Sequence, residues 1–481
     1  MNQTRLSKGF DENCKTPSIS ALLIQCMLNN RMGKRYYGLD IAKGISVLGM
    51  VLSHSFMGTA AKWKSSILFS LVAKIPTVLL YVLMVPICLF SQMGSLFSLI
   101  SAICVTLSFL NVSKKGFGVV WRYLLMKMVY AFLLRGIEIF WNQWTVDWDF
   151  FETGKMQLPV VDIPFYSHTL DCIGLIGWFV PLLIYLIRLV PFLKDYRIQV
   201  AILYVLSVVI TIFSRDMASA GVRAEEYCRT NNLYFFAYLF SKIGKGPFQI
   251  PQLLPFGLMG GAIGIIMHST VVLSPLWWFF LLSTVGNVII GGILLTHVDD
   301  FVTELFESFK PEGFMIIIAS VQFLFILICM VLVDDTKRSP AKRYRVLHHT
   351  TFLRRINTLS LSAYVLEPFL SKQVFLVLQL PELFGTAIDY EKEECLWSWP
   401  VVALYSFLVV LLAILIARIW EYGDFRFSIE YQLGFLMQWL FGRSCDKVDY
   451  KKNIYGPLRE LQEEIANPRV SAVDVVTDEM D

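Results

Sequence analysis

Apolar residues make up 56% of this 481-residue chain and charged residues only 17%, and long apolar runs recur along its whole length. Soluble domains carry about 25% charged residues, so the balance excludes a globule with a single anchor and predicts a polytopic membrane protein. The net charge of +4 says nothing about nucleic acid, because in such a chain the informative quantity is which loops hold Lys and Arg.

Residues 1–35 are polar and basic, with Arg5, Lys8, Lys15, Arg31, Lys34 and Arg35, and they read as a cytoplasmic tail without a cleavable signal peptide. The first span is expected over 39–59, in the stretch YGLDIAKGISVLGMVLSHSFMGT, which carries Asp40, Lys43 and His54. Ionisable groups inside an apolar span are costly, so each is a candidate functional residue. Lys43 and His54 stand three helical turns plus about 20° apart, on one face, separated by roughly 16 Å along the axis. Asp40 sits one turn before Lys43 on the same side.

Residues 60–84 are apolar but hold Lys62, Lys64, Lys74 and Pro76. They read as an interfacial or partly re-entrant outer segment, the alternative being a further span over 65–84. The next span, 85–111, contains Ser91, Gly94, Ser95 and Ser98, as a packing helix or cavity wall does. Lys114, Lys115 and Arg122 mark the inside. The span 119–141 holds Arg135 and Glu138, spaced to pair on one face. The Trp- and Asp-rich loop 142–167 belongs outside. A span over 168–190 begins at His168 and Asp171, and another is expected over 198–213.

Residues 214–250 form a long mixed loop that ends in a Gly- and Pro-rich run. Close helix packing is expected at Gly260, Gly261 and Gly264 in the span 251–268. Spans over 276–295 and 314–333 lead to the most basic loop, 337–355, which belongs in the cytosol. The span 357–380 contains Glu367–Pro368, either a kink with a paired carboxylate or a broken helix lining a cavity. An acidic outer loop, 382–394, precedes the last span, 401–420. Residues 425–443 read as an amphipathic segment on the inner surface, and 446–481 as a charged tail that need not fold.

The expected architecture is an all-α integral membrane protein with ten transmembrane helices, or eleven if 65–84 crosses. A cytoplasmic tail, 1–35, precedes a transmembrane domain, 36–443, and a cytoplasmic charged tail, 444–481, follows. The nine cysteines form no CxxC pair and no metal spacing. No P-loop, GxSxG elbow, HEXXH, HxxxD or zinc motif occurs.

The stretch LDIAKG, followed by an apolar run ending in His54, resembles the signature of transmembrane acyltransferases. That superfamily includes the acyltransferase-3 proteins, the heparan-α-glucosaminide N-acetyltransferase and the YeiB-type membrane proteins. Its pattern is a cation, ten residues and a His, matched by Lys43 and His54 with Lys where Arg is usual. The run PICLFSQMGSLFSL resembles the family's following helix, interrupted by Gln92 and Met93. Further similarities lie in SHTLDCIGLIGW, KGPFQIPQLLPFGLMGGAIG and INTLSLSAYVLEPFLSK, and in FRFSIEY, which keeps Arg426 and Glu430.

The resemblance implies transfer of an acyl group, often acetyl from acetyl-CoA, to a sugar or another hydroxyl or amine acceptor, with no metal. Lys43 would bind a CoA phosphate, with Arg122 and Arg355 as further cofactor-binding residues. His54 would act as general base or carry the acyl group, and Asp40 would orient Lys43. His168, Asp171 and Glu367 would face the acceptor. The partners so implied are the bilayer, an acyl-CoA donor and a glycan or amino-sugar acceptor.

The residues alone leave other readings open. His54 is also what a satisfied interior histidine looks like, and Lys43 what a lysine snorkelling to headgroups looks like. Asp40 complements the helix dipole, Arg135 and Glu138 can form a structural ion pair, and His168 and Asp171 can be interface residues. A transporter using Lys43, His54, Arg135, Glu138 and Glu367 as a polar pathway, or an inactive scaffold, fits the same residues.

Overall fold

The computed structural model describes residues 35–56, 65–79, 93–139, 167–246, 248–270, 273–299, 310–335, 338–389, 391–441 and 450–466. The chain divides into two compact units, Met1–Tyr36 and Tyr37–Asp481, and every element below belongs to the second. The helices of the first half are α1 Tyr37–Phe56, α2 Ser65–Ala73, α3 Met93–Ser113, α4 Phe117–Ile139, α5 Thr169–Leu189, α6 Tyr196–Ile212, α7 Ser214–Thr230 and α8 Tyr234–Gly244. Then come α9 Ile250–Ser269, α10 Ser274–Leu295, α11 Glu312–Val333, α12 Pro340–His349, α13 Thr351–Thr358 and α14 Ser360–Leu378. A two-residue hairpin, β1 Ile388–Asp389 and β2 Glu394–Cys395, precedes α15 Trp399–Tyr422, α16 Ile429–Phe441 and α17 Tyr450–Ala466.

Among the described residues eight helices are long and apolar enough to cross a membrane: α3, α4, α5, α9, α10, α11, α14 and α15. A ninth crossing results if α6 and α7, bent by 64° at their junction, count as one span. The chain is therefore an all-α polytopic protein, and these helices coincide with nine of the ten expected spans. The tenth, 39–59, is α1, which lies outside the apolar set although it has 20 residues. It packs against α3, α11, α13, α14 and α15, so neighbouring helices rather than lipid meet its polar positions. By contrast, 17% of the apolar window of α10 is buried against 89% of that of α9, which puts α10 at the periphery and α9 in the core.

Two close approaches fix the core. A Cβ added at Gly260 would lie 2.4 Å from the Leu99 carbonyl oxygen, so α9 and α3 meet backbone to backbone, as the glycine-rich run predicts. At Gly44 the same addition would stand 2.2 Å from the Leu353 carbonyl oxygen, which seats α1 on α13.

The N-terminus of α1 is held by Asp334, at the end of α11. Its carboxylate accepts from the Tyr37 and Gly38 amides, each at 2.9 Å. These amides have no partner within the helix, and the negative charge complements the helix dipole. Asp334→Ala is expected to destabilise the protein by about 0.5–2 kcal/mol, the usual cost of losing a cap, read as a lowered melting temperature in detergent.

The segment after α1 does not provide an eleventh span among the described residues. A helix of 9 residues rises about 13 Å, under half the bilayer core. Instead α2 is tied to the hairpin: Lys74 pairs with Glu394 at 3.1 Å, and Ser66 donates to Glu393 at 2.7 Å. Residues 80–92 of the expected segment and span lie outside the described residues. Within 425–443, α16 buries Leu433 and Met437 and exposes Phe435 and Trp439, so apolar residues lie on its outward side as well as its inward one. The charged tail differs from expectation. Residues 450–466 form α17, whose buried Ile454, Leu458 and Leu461 make an i, i+4, i+7 stripe on a helix docked against α12 and α13.

Candidate functional site

The helical repeat of α1 sets Lys43, Met50 and His54 along one face. Lys43 and Met50 line a cavity of about 140 Å³ between α1, α3, α4, α5 and α14, closed by Phe97, Tyr130, Thr169 and Tyr364 among others. No hydrogen-bond or ion-pair partner meets the Lys43 ammonium among the described residues. An apolar-walled hollow with one uncompensated cation is a site for an anionic or strongly polar group.

His54 lies one turn beyond Met50 and outside the cavity lining. Its Nδ1 stands 3.2 Å from Glu367 Oε2. The Glu367 side chain is 4% exposed and that of His54 32%. The second carboxylate oxygen, Oε1, is buried without a hydrogen-bond partner among the described residues. A carboxylate accepting from Nδ1–H leaves Nε2 as the basic nitrogen of the imidazole. Glu367 is three residues beyond Tyr364, so one helix, α14, carries both the cavity wall and the partner of His54. Pro368 sits inside a continuous α14, so the alternative of a helix broken there is not what forms. Lacking an N–H, it leaves the Tyr364 carbonyl without its helical donor.

Asp40 corrects one expectation. It accepts from Asn357 Nδ2 at 2.9 Å, tying α1 to the end of α13, and no ion pair joins it to Lys43 among the described residues. The bond joins residues 317 positions apart in the chain.

A second polar group lies where α4, α5, α8 and α14 meet. Asp171 Oδ2 pairs with Arg135 at 2.8 Å and with Lys242 at 3.2 Å, and it accepts from the His168 amide at 3.1 Å. Arg135 thus reaches across to α5 rather than serving only the Glu138 of its own helix. Glu138 accepts from the Tyr364 hydroxyl at 3.4 Å and lies 3.9 Å from His168 Nδ1. Burial pulls the Lys242 ammonium down to about 8; the Asp171 carboxylate opposes this and the Arg135 guanidinium adds to it. Asp171 is buried, and its Oδ2 takes all three of these contacts. His168 stays a quarter exposed beside Glu138.

Arg122 and Arg355 do not join Lys43. Arg122 is exposed and donates to the Phe441 carbonyl at the end of α16. Arg355 donates to Glu421 at 2.9 Å and to the Tyr455 hydroxyl at 3.2 Å, in a cluster that also includes Arg418. Their helices aim them at α16, and at α15 and α17, away from the cavity that Lys43 lines. Among the described part of the basic loop, Arg343 and Arg354 are likewise spent on the carbonyls of Val333 and Leu347.

No known family model matches the chain, and no curated protein matches it. No group of three His, Cys, Asp or Glu residues that could hold a metal occurs among the described residues.

Three residues of these clusters were not singled out by the sequence as parts of a site. Lys242 sits in YFFAYLFSKIG, a stretch read as loop, where a lone lysine in an apolar helical run is the available signal. Tyr364 joins the cavity to Glu138. Glu430 accepts from the Leu361 amide and, at 3.0 Å, from the Ser362 amide, so α16 caps the helix that carries Tyr364 and Glu367.

Proposed function

We propose that the chain is a membrane-embedded acyltransferase that moves an acyl group from an acyl-CoA, such as acetyl-CoA, to a hydroxyl or amine acceptor. One observation carries the reading: an unpartnered Lys43 ammonium lines a cavity on the face of α1 that also bears His54, one turn beyond the lining residue Met50, and Glu367 stands at hydrogen-bond distance from that imidazole.

The residues fit the end of such a donor. A hollow of about 140 Å³ is close to the size that holds a benzene ring. It suits an acetyl group with its thioester sulfur, and is far too small for the whole donor. Lys43 would hold a donor phosphate as a point charge, with no help from Arg122 or Arg355.

His54 acts as general base, taking the acceptor proton on Nε2 while Nδ1–H stays on Glu367. The acceptor oxygen or nitrogen then bonds to the acyl carbon, the carbon–sulfur bond breaks, and His54 returns the proton to the departing thiolate. Glu367 stabilises the imidazolium formed between these two steps, as a buried carboxylate does for histidine bases.

Lys43→Ala is expected to raise KM for acetyl-CoA by about 10- to 100-fold, the worth of one charge-assisted contact. The value of kcat should change little, and so should the melting temperature, since Lys43 holds no structural partner. Labelled acetyl-CoA transfer to amino sugars and glycans in membranes reads this, and an unchanged KM would remove Lys43 from the site.

A second reading, transport of a small or lipid-linked solute, is favoured by the buried group of Arg135, Glu138, Asp171 and Lys242 beside the part-exposed His168, since charges at depth often mark a pathway. Acetyl-CoA binding by the purified protein, lost on replacing Lys43 and His54, separates the two. Transport without such binding would take its place.

A further inference from the structure

We propose that a pocket at one end of the bundle, where α3, α5, α6 and α9 meet, binds a phosphate-bearing anion, with a phospholipid headgroup as its source. This is independent of the acyl-transfer reading and stands or falls without it.

The cavity measures about 280 Å³ and is lined by Arg188, Lys194, Asp195, Tyr196, Gln199 and His268 among others. Three nitrogen-bearing side chains reach it from three elements: Arg188 from the last turn of α5, Lys194 from the turn before α6, and His268 from the last turn of α9. Arg188 has one hydrogen-bond partner among the described residues, the Ser113 hydroxyl at 3.3 Å. Neither the Lys194 ammonium nor the His268 ring has any. Lys114 adds its charge near His268.

The opposing charge is Asp195. One of its oxygens already accepts from the Arg197 amide at 2.9 Å as the cap of α6. The wall therefore carries Arg188 and Lys194 against one engaged carboxylate, with the charge of Lys114 close by, a surplus that an anion would satisfy.

The site is held in place. Gln199 is buried, and its amide donates to the Leu193 and Lys194 carbonyls at 3.1 and 2.8 Å, bracing the 3-10 turn Pro191–Leu193 that presents Lys194. On the outer side of that turn Phe192 is 74% exposed and Leu189 57%. Apolar groups projecting beside a basic pocket between helix ends are what a headgroup with its acyl chains requires. The charge pattern of the sequence also predicts this end to be cytosolic, where anionic lipids concentrate.

The competing account is that Arg188 and His268 only neutralise helix C-termini. The test uses the full chain in detergent and in lipid nanodiscs. Native mass spectrometry compares retention of phosphatidate with phosphatidylcholine, and melting is followed with and without inorganic phosphate.

Wild-type protein should retain phosphatidate selectively. Lys194→Gln should weaken that retention about fivefold, the worth of one basic residue near a lipid surface, and Asp195→Asn should strengthen it by a similar factor. Lys194 is exposed and makes no side-chain bond among the described residues, so its variant tests binding rather than folding. Protection by inorganic phosphate that Lys194→Gln abolishes, without selective phosphatidate retention, would assign the phosphate chemistry to a soluble ligand and overturn the lipid source. Equal behaviour of wild type and both variants in every arm would overturn the site itself.

Discussion

His54→Ala is expected to lower acyl transfer by about 10²–10⁴-fold, the usual contribution of a positioned general base, in the same labelled acetyl-CoA assay. The substitution also strands Glu367, whose carboxylate is 4% exposed and whose Oε1 already lacks a partner among the described residues. A buried carboxylate without its partner destabilises, so His54→Gln is the cleaner variant: its amide can still donate to Glu367 but cannot serve as a base. Both variants should be equally inactive, with His54→Gln nearer to wild type in melting temperature. Glu367→Gln should retain the fold and lose about 10²-fold or more in kcat, because a neutral amide does not stabilise the imidazolium. Full activity in His54→Gln would end the base assignment, whatever else the cavity binds.

Asp171→Ala is expected to be the most destabilising single change. It removes the shared anion of Arg135 and Lys242, whose side chains are 6% and 4% exposed, and leaves two like charges facing each other in a buried place. Breaking a buried pair from one side costs about 3–5 kcal/mol. The expected readout is little folded protein in detergent, or a melting temperature far below wild type. Lys242→Met combined with Asp171→Asn should recover much of the loss, since the local charge falls by one unit of each sign. If Asp171 instead contacts an acceptor, the single variant will keep its melting temperature and lose activity, and the double change will rescue nothing.

The parts of this protein that were legible in the sequence are those set by neighbours along the chain. Eight expected spans reappear among the described residues as long apolar helices because about twenty apolar residues in a row have few other solutions. The common face of Lys43 and His54 follows from an eleven-residue spacing. Gly260 and Gly264 mark a tight crossing because small residues at i and i+4 clear one stripe of a helix. Even here charge hides a helix: lysines and glutamates surround the Ile454, Leu458 and Leu461 stripe of α17, so the composition of that tail does not require it to fold.

What a charge is for was settled elsewhere. The partner of His54 is 313 residues away, and those of Asp171 are 36 and 71 away. Arg355, by its position in a basic loop, looked available to an anionic cofactor, yet Glu421 and Tyr455 occupy it. Lys43, no different in sequence terms, is left facing a hollow. Hydropathy and helical period act over a few residues, so the order of amino acids is enough to place most of the long apolar helices and to say which ionisable groups share a face. Which of those groups are neutralised and which face a hollow depends on which helices stand next to each other in a low-dielectric interior, and that is visible in the packed fold alone.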